Sequence, residues 1–125
     1  MTSEKDLTNE LYRVAHGVSW QCNLTNRIYV QFKETTASFQ IQDFFSFQRK
    51  VKSINIHEMI YNLSDEFDFE LVEAPQNSIS MQLTLREIIE LRDLLAGTRF
   101  VITLNSFLRE NSFLREVLGD AALMY

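Results

Sequence analysis

The sequence predicts an α+β domain: a mainly antiparallel sheet of five or six strands with helices on one face. Three observations carry this reading. Runs of alternating apolar and polar residues, the mark of half-buried strands, come in adjacent pairs. A stretch with apolar residues at helical spacing follows each pair. This strand–strand–helix unit is written twice, with Phe39-Gln40-Ile41 near the first strand-to-helix junction matching Met81-Gln82-Leu83 near the second, and a capping residue, Asp43 or Thr84, just after.

Residues 1–9 are polar, with Thr2 and Ser3 followed by Glu4 and Asp6 in the manner of a cap, and suit either one helical turn or a loose segment, so 1–10 are expected as a flexible lead-in to a single domain over 11–125. Leu11 to Trp20 reads as one strand with Tyr12, Val14, His16, Val18 and Trp20 on one face, and Gly17 in its middle marks a bulge or a close approach. Gln21–Asn26 is a turn. In the next strand, 27–33, Ile28, Val30 and Phe32 face one way and Arg27, Tyr29, Gln31 and Lys33 the other. Glu34-Thr35-Thr36 turns the chain back. The strand 37–42 then puts Ala37, Phe39 and Ile41 inward and Ser38, Gln40 and Gln42 outward, which completes a hairpin.

Asp43 caps a helix whose stripe is Phe44, Phe47, Val51 and Ile54, with Arg49, Lys50 and Lys52 off it. Asn55 followed by Glu58 has the form of a capping box, so a second helix is expected from Ile56 with the stripe Ile56, Met59, Ile60 and Leu63. One long bent helix over 44–63 is the alternative. A strand at 66–73 places Phe67, Phe69 and Leu71 inward, Ala74-Pro75-Gln76-Asn77 turns, and Ile79, Met81 and Leu83 face in again. Thr84 and Glu87 form the clearest capping box. The helix behind it carries Leu85, Ile88, Ile89, Leu91, Leu94 and Leu95 and is expected to stop at Gly97.

Arg99–Leu104 is β-rich, and Asn105 or Ser106 caps a last helix ending near Gly119. The hexapeptide NSFLRE occurs twice in it, at 105–110 and 111–116. Two copies of six residues match no solenoid period, and six residues rotate a helix by roughly 240° net, so Phe107 and Phe113 point apart. The repeat widens the apolar arc of that helix. A helix apolar over most of its circumference is buried on two sides, one of which suits a partner subunit.

Composition narrows the function classes. A net charge of −5 opposes nucleic acid as the main partner, since phosphate binding needs a basic field that releases counterions. It opposes an anionic membrane surface equally. The single cysteine, Cys22, forms no internal disulfide, the start of the chain has no apolar signal core, and no apolar run approaches the ~20 residues of a membrane span. A cytoplasmic location is the expectation.

Few side chains carry the marks of catalysis. His16 sits on an apolar strand face with no acidic residue at a fixed spacing to orient it. His57-Glu58 lacks the second histidine of the HExxH zinc helix, position 61 being Tyr61, so no metal site is expected. Cys22 lies in a polar turn with only Arg27 as a cationic neighbour and reads as an inert thiol. With three glycines, the chain holds no phosphate-binding or dinucleotide fingerprint and no nucleophile elbow, so no cofactor is expected. Asp65, Glu66, Asp68 and Glu70 read as a solvated strand face.

Two surfaces stand out. Arg49, Lys50 and Lys52 form a basic cluster suited to a solvated helix face or a small anionic ligand. Tyr29, Gln31, Ser38, Gln40 and Gln42, with Ser80 and Gln82, make outward strand faces that are polar yet uncharged. Such faces hydrogen-bond a partner without desolvating a full charge. The expected function is a non-enzymatic protein–protein interaction or adaptor module acting as a homodimer. Its candidate binding residues are His16, Trp20, Tyr29, Gln31, Gln40, Gln42, Arg49 and Lys50. The alternative is a ligand-binding protein or enzyme with a pocket between sheet and helices involving His16, Trp20, Tyr29 or His57.

From His16 to Gln48, the Cys22-containing turn, the alternating hairpin and Asp43-Phe44-Phe45-Ser46-Phe47 resemble small single-domain bacterial proteins without assigned activity. That resemblance implies an architecture and no site. In layout alone the chain is also similar to secretion chaperones that dimerise around an unfolded segment, against which its weak N-terminal helix counts.

Overall fold

The computed structural model describes residues 8–61, 69–74 and 79–111. The elements are β1 (Thr8–Val14), β2 (Gly17–Cys22), β3 (Ile28–Phe32), β4 (Thr35–Phe39), α1 (Ile41–Lys52), α2 (Ile56–Tyr61), β5 (Phe69–Ala74), β6 (Ile79–Thr84) and α3 (Leu85–Glu110). The fold is α+β with antiparallel sheets and helices packed on them. The strands divide into a four-stranded meander, β1-β2-β3-β4, and a separate hairpin, β5-β6, where a single sheet was expected.

The expected strand from Leu11 to Trp20 is two strands joined at Ala15-His16. Alternation survives the turn, but the facing changes. Tyr12 and Val14 pack on the core, whereas Trp20 pairs with Tyr29 and Val18 with Gln31 on the far side. The register of β1 slips between Glu10 and Tyr12, which turns Leu11 into the core. Thr8–Glu10, expected as lead-in, belong to β1.

β3 follows its expected alternation, with Ile28, Val30 and Phe32 buried. Its loop to β4 is only Lys33-Glu34, so β4 begins at Thr35 and pairing ends at Phe39. Lys33 adopts φ 55, a left-handed conformation unusual for lysine, and its N–H donates to the His16 carbonyl at 2.8 Å. The helix therefore starts earlier than expected, at Ile41. Gln40 is its N-cap without a side-chain cap bond, and Asp43 lies within the first turn. Gln40 and Gln42 leave the sheet face on which the alternation placed them.

α1 buries Phe44, Phe47, Gln48 and Val51. Phe39 stacks on Phe47 with ring centroids 5.1 Å apart and meets Phe44 edge-on at 6.2 Å. The chain then breaks into two helices. Ser53 N–H bonds back to Arg49 and Lys50 carbonyls, and Asn55 Oδ1 accepts from Glu58 N–H at 2.9 Å. In α2, Ile56 and Met59 pack on the core while Ile60 is exposed; Leu63 lies outside the described residues.

β5 runs in the opposite phase to the expectation. Val72 and Ala74 are buried and Leu71 is exposed, because the register sets Val72 opposite Met81 and Ala74 opposite Ile79 on one face. Phe67 lies outside the described residues.

The largest departure is α3. Gly97 does not end it, no strand forms at Arg99–Leu104 and no new helix starts at Asn105; a single helix runs from Leu85 to Glu110. Its inward side, Ile88, Leu91, Leu95, Thr98 and Ile102, stays in phase across Gly97, so core burial holds the helix through it. α3 lies on β1 and β2, with α1 beside it and against β4. Two glycines permit the approach. A Cβ on Gly97 would come within 2.5 Å of the Tyr12 ring, and one on Gly17 within 2.8 Å of both the Gln31 carbonyl and Leu94. Between them the buried Ser19 and Thr98 hydroxyls share a 2.6 Å hydrogen bond, and Thr98 also donates to the Leu94 carbonyl. The expected helix end near Gly119 and the second NSFLRE copy beyond Asn111 lie outside the described residues.

Candidate functional site

The face of the meander opposite the helices is built from two cross-strand rows. Glu10, Trp20, Tyr29 and Ser38 form one, and Arg13, Val18, Gln31 and Thr36 the other. Directly opposed residues in antiparallel strands share a face. At the centre Trp20 stacks on Tyr29, with ring centroids 5.4 Å apart and planes within 3° of parallel. Both rings are half-buried although the helices pack on the other side of the sheet. The charges stand at the margins. Arg13 pairs with Glu10 at 2.6 Å, and Arg27 reaches across to Ser38, donating to its hydroxyl at 2.7 Å and its carbonyl at 3.1 Å.

Of the residues singled out in the sequence, this surface gathers Trp20, Tyr29 and Gln31, with Ser38 beside them. Gln40 and Gln42 lie at the end of the sheet, where with Thr25, Asn26, Arg27 and Ile41 they line an open groove of about 600 Å³. Ser80 and Gln82 are exposed on β6, in the other sheet, so the uncharged faces are not one continuous surface. Arg49 and Lys50 are exposed in the last turn of α1, where positive charge complements the helix dipole. Lys50 Nζ also donates to the Glu73 carbonyl at 2.8 Å, tying α1 to β5.

His16 sits in the β1–β2 turn, and its partner is an acid far away in sequence. Glu90 on α3 accepts the His16 backbone N–H at 2.8 Å and lies 2.9 Å from its Nδ1. Glu87, one turn earlier, pairs with Lys33 in the neighbouring turn. Lys33 and the Thr84 N–H hold the Glu87 carboxyl below the usual carboxylate range. These contacts clamp α3 to two turns, and the histidine ring is exposed, as a structural tie. His57 is exposed on α2 and stacks on Tyr61 at 6.3 Å. Of the four residues His16, Trp20, Tyr29 and His57, the structure brings only Trp20 and Tyr29 into contact, while His16 stands in the β1–β2 turn and His57 on α2.

No protein-family model matches the chain, no curated protein matches it in sequence and no solved structure matches it in fold.

Cys22 is the last residue of β2 and not part of the turn in which it was expected. Hydrogen bonds from the Thr25 side chain and the Thr25 and Leu24 backbone lower its thiol pKa. It remains a lone cysteine at the end of β2. Between α1 and α3, Arg99 donates to the buried Gln48 at 2.7 Å and stands 4.9 Å over the Phe45 ring. Beside it an apolar groove of about 380 Å³ is lined by Ile41, Phe45, Ile102 and Phe107 among others. Among the described residues no helix is long and apolar enough to cross a membrane.

The solvent side of α3 is a surface that the sequence reading missed. Ile89, Phe100 and Phe107 are 49%, 66% and 50% exposed there. Reading 85–110 as one helix through Gly97 would have found it, because all three then fall on one side.

Proposed function

We propose that the chain is a non-enzymatic protein–protein interaction module of the cytoplasm, acting as a homodimer, and that the outer face of the meander receives its partner. One observation carries this reading: a stacked Trp20–Tyr29 pair at the centre of a sheet face whose ion pair, Glu10–Arg13, lies on the edge strand β1. Interfaces have this composition, with aromatic residues enriched and charges depleted at the core and a polar rim around it. Gln31 and Thr36 supply neutral hydrogen-bonding groups beside the rings, which a partner engages at low desolvation cost.

Trp20 is the only tryptophan, so its fluorescence reports directly on this surface. A partner recovered with the wild-type chain is expected to shift Trp20 emission and shield it from acrylamide. The Trp20→Lys variant, folded by circular dichroism, is expected to lose that partner. Recovery of the same partner by Trp20→Lys, or unchanged quenching in the complex, removes the sheet face from the proposal. A strictly monomeric chain by light scattering, with no co-purifying protein, removes the proposal altogether.

A further inference from the structure

We infer that α3 pairs antiparallel with α3 of a second copy of this chain, through the solvent-facing row Ile89, Ala96, Phe100, Thr103 and Phe107. The inference rests on the homodimer reading and names the surface that makes the dimer. α3 is 26 residues, about 39 Å long. Its inward side is spent on the sheet and α1. On the other side Arg86, Ile89, Asp93, Ala96, Phe100, Thr103, Phe107 and Glu110 are all exposed. Their spacing alternates three and four residues, that of a coiled-coil seam. The outer row of a globular helix is normally charged; in this one Ile89, Ala96, Phe100 and Phe107 are apolar, and both phenylalanine rings are exposed.

The row commits to its occupant through self-complementarity. In an antiparallel pair each a position faces a d position of the other helix. With the two-fold axis level with Thr98, the layers are Arg86 against Glu110, Ile89 against Phe107, Asp93 against Thr103 and Ala96 against Phe100, each formed twice. Charge meets opposite charge at the ends, and a small side chain meets a large ring at the centre. The Thr103 hydroxyl donates to the Asp93 carboxylate, a polar layer of the kind that selects one register. Ile89 of the second copy would enter the groove beside Phe107, where Ile41 and Phe45 extend the apolar lining. A parallel pair is disfavoured by the same residues, because it sets Arg86 on Arg86, Asp93 on Asp93 and Glu110 on Glu110. The symmetry is the isologous two-fold of most homodimers.

The test is light scattering of the full chain over a concentration series, with three sets of variants. Phe100→Glu puts a charge into the central layer and is expected to raise the dimer dissociation constant by more than about 100-fold, since two such layers are lost. Arg86→Glu and Glu110→Arg, each alone, turn two exposed ion pairs repulsive and are expected to weaken association by roughly 2- to 30-fold. The double variant R86E/E110R restores opposite charge in both end layers and is expected to return to wild-type affinity. These last changes are on the surface and spare the fold.

A dimeric wild type with a dimeric Phe100→Glu overturns the seam and leaves the homodimer reading standing. Loss of the dimer in Phe100→Glu without rescue in R86E/E110R overturns the antiparallel register. A wild type monomeric at every concentration overturns the seam and the homodimer reading together. A monomer whose melting temperature drops in Phe100→Glu does so as well, by showing the row covered within its own chain.

Discussion

β3-β4-α1 and β5-β6-α3 are the same order of elements put to different uses. In the first, the strands are an interior strand and an edge strand of a four-stranded sheet, and α1 folds back on its own hairpin through the Phe39–Phe44–Phe47 cluster. In the second, the hairpin stands alone as two strands. Its helix runs on past it to cover β1 and β2, which precede both units in the chain. An isolated two-stranded hairpin is marginal in water. The second one is held by α3, by Met81 and Ile79 against the core, and by Lys50 reaching the Glu73 carbonyl. A local pattern thus specifies its elements, while the length of the helix decides which sheet it serves.

The comparison breaks most sharply in the core of the first unit. Phe39→Ala removes a ring that is 1% exposed and in contact with two others, and is expected to cost about 3–5 kcal/mol in denaturant unfolding. Amide exchange is the matched measurement on the second unit. Amides of β5 and β6 are expected to open at a lower free energy than those of β2 and β3, as a satellite hairpin does. Equal protection in both sheets would mean that the hairpin is as integral to the core as the meander, and the contrast would fall.

The contact that lets α3 serve the meander is the next point of attack. A Cβ at Gly17 meets the Gln31 backbone oxygen, which cannot swing away, so Gly17→Ala is expected to cost about 1–3 kcal/mol. At Gly97 the nearest obstacle is the Tyr12 ring, a side chain, whose hydroxyl bonds Asp93 weakly at 3.4 Å. There Gly→Ala also gains about 1 kcal/mol of helix propensity. Gly97→Ala is therefore expected to cost less than Gly17→Ala, and a Tyr12→Ala background should turn it stabilising. Thermal melts of the wild type, the three single variants and the Tyr12→Ala/Gly97→Ala double variant check the order; a costlier Gly97→Ala would show the Tyr12 ring to be locked.

The residues that were legible in the sequence are those whose signal is local. The alternation of Ile28, Val30 and Phe32, the stripe of Phe44, Phe47 and Val51 and the box at Thr84 and Glu87 all stand in the structure as read. The β1–β2 turn was hidden because Ala15-His16 carries no glycine, proline or asparagine and alternation continues through it. In β5 the adjacent Leu71 and Val72 support either phase, and only the pairing with Met81 chooses. Gly97 looked like a terminator because what holds it in the helix is a ring from β1. The candidate surface divides likewise. Tyr29 and Gln31 follow from alternation, but Trp20 joins them only through the register of β2 on β3, and Glu90 finds His16 from 74 residues away.

The finest difference between the units is how each helix begins. α3 has both bonds of the capping box: Glu87 N–H to Thr84 Oγ1 at 3.2 Å and Thr84 N–H to Glu87 Oε1 at 2.9 Å. α1 starts at Gln40 with no side-chain cap. Thr84→Ala is expected to cost about 1 kcal/mol, whereas Gln40→Ala should be near neutral and Gln40→Asp should stabilise. Glu87, held first by Lys33 and then by the Thr84 N–H of the box, also has a pH signature. Its carboxyl titrates lower in the folded chain than its ordinary 4.5, so the folded state binds that proton less readily than the unfolded one. Its contribution is complete above the unfolded value and is lost as pH falls through the folded one. Stability curves of wild type and Glu87→Gln should therefore run parallel near neutral pH and converge below 4.5 as the wild type loses the ionised cap. Parallel curves down to the acid limit would show that Lys33 and the Thr84 N–H bind the neutral carboxyl as well as the charged one. The two helix starts would then differ in geometry alone.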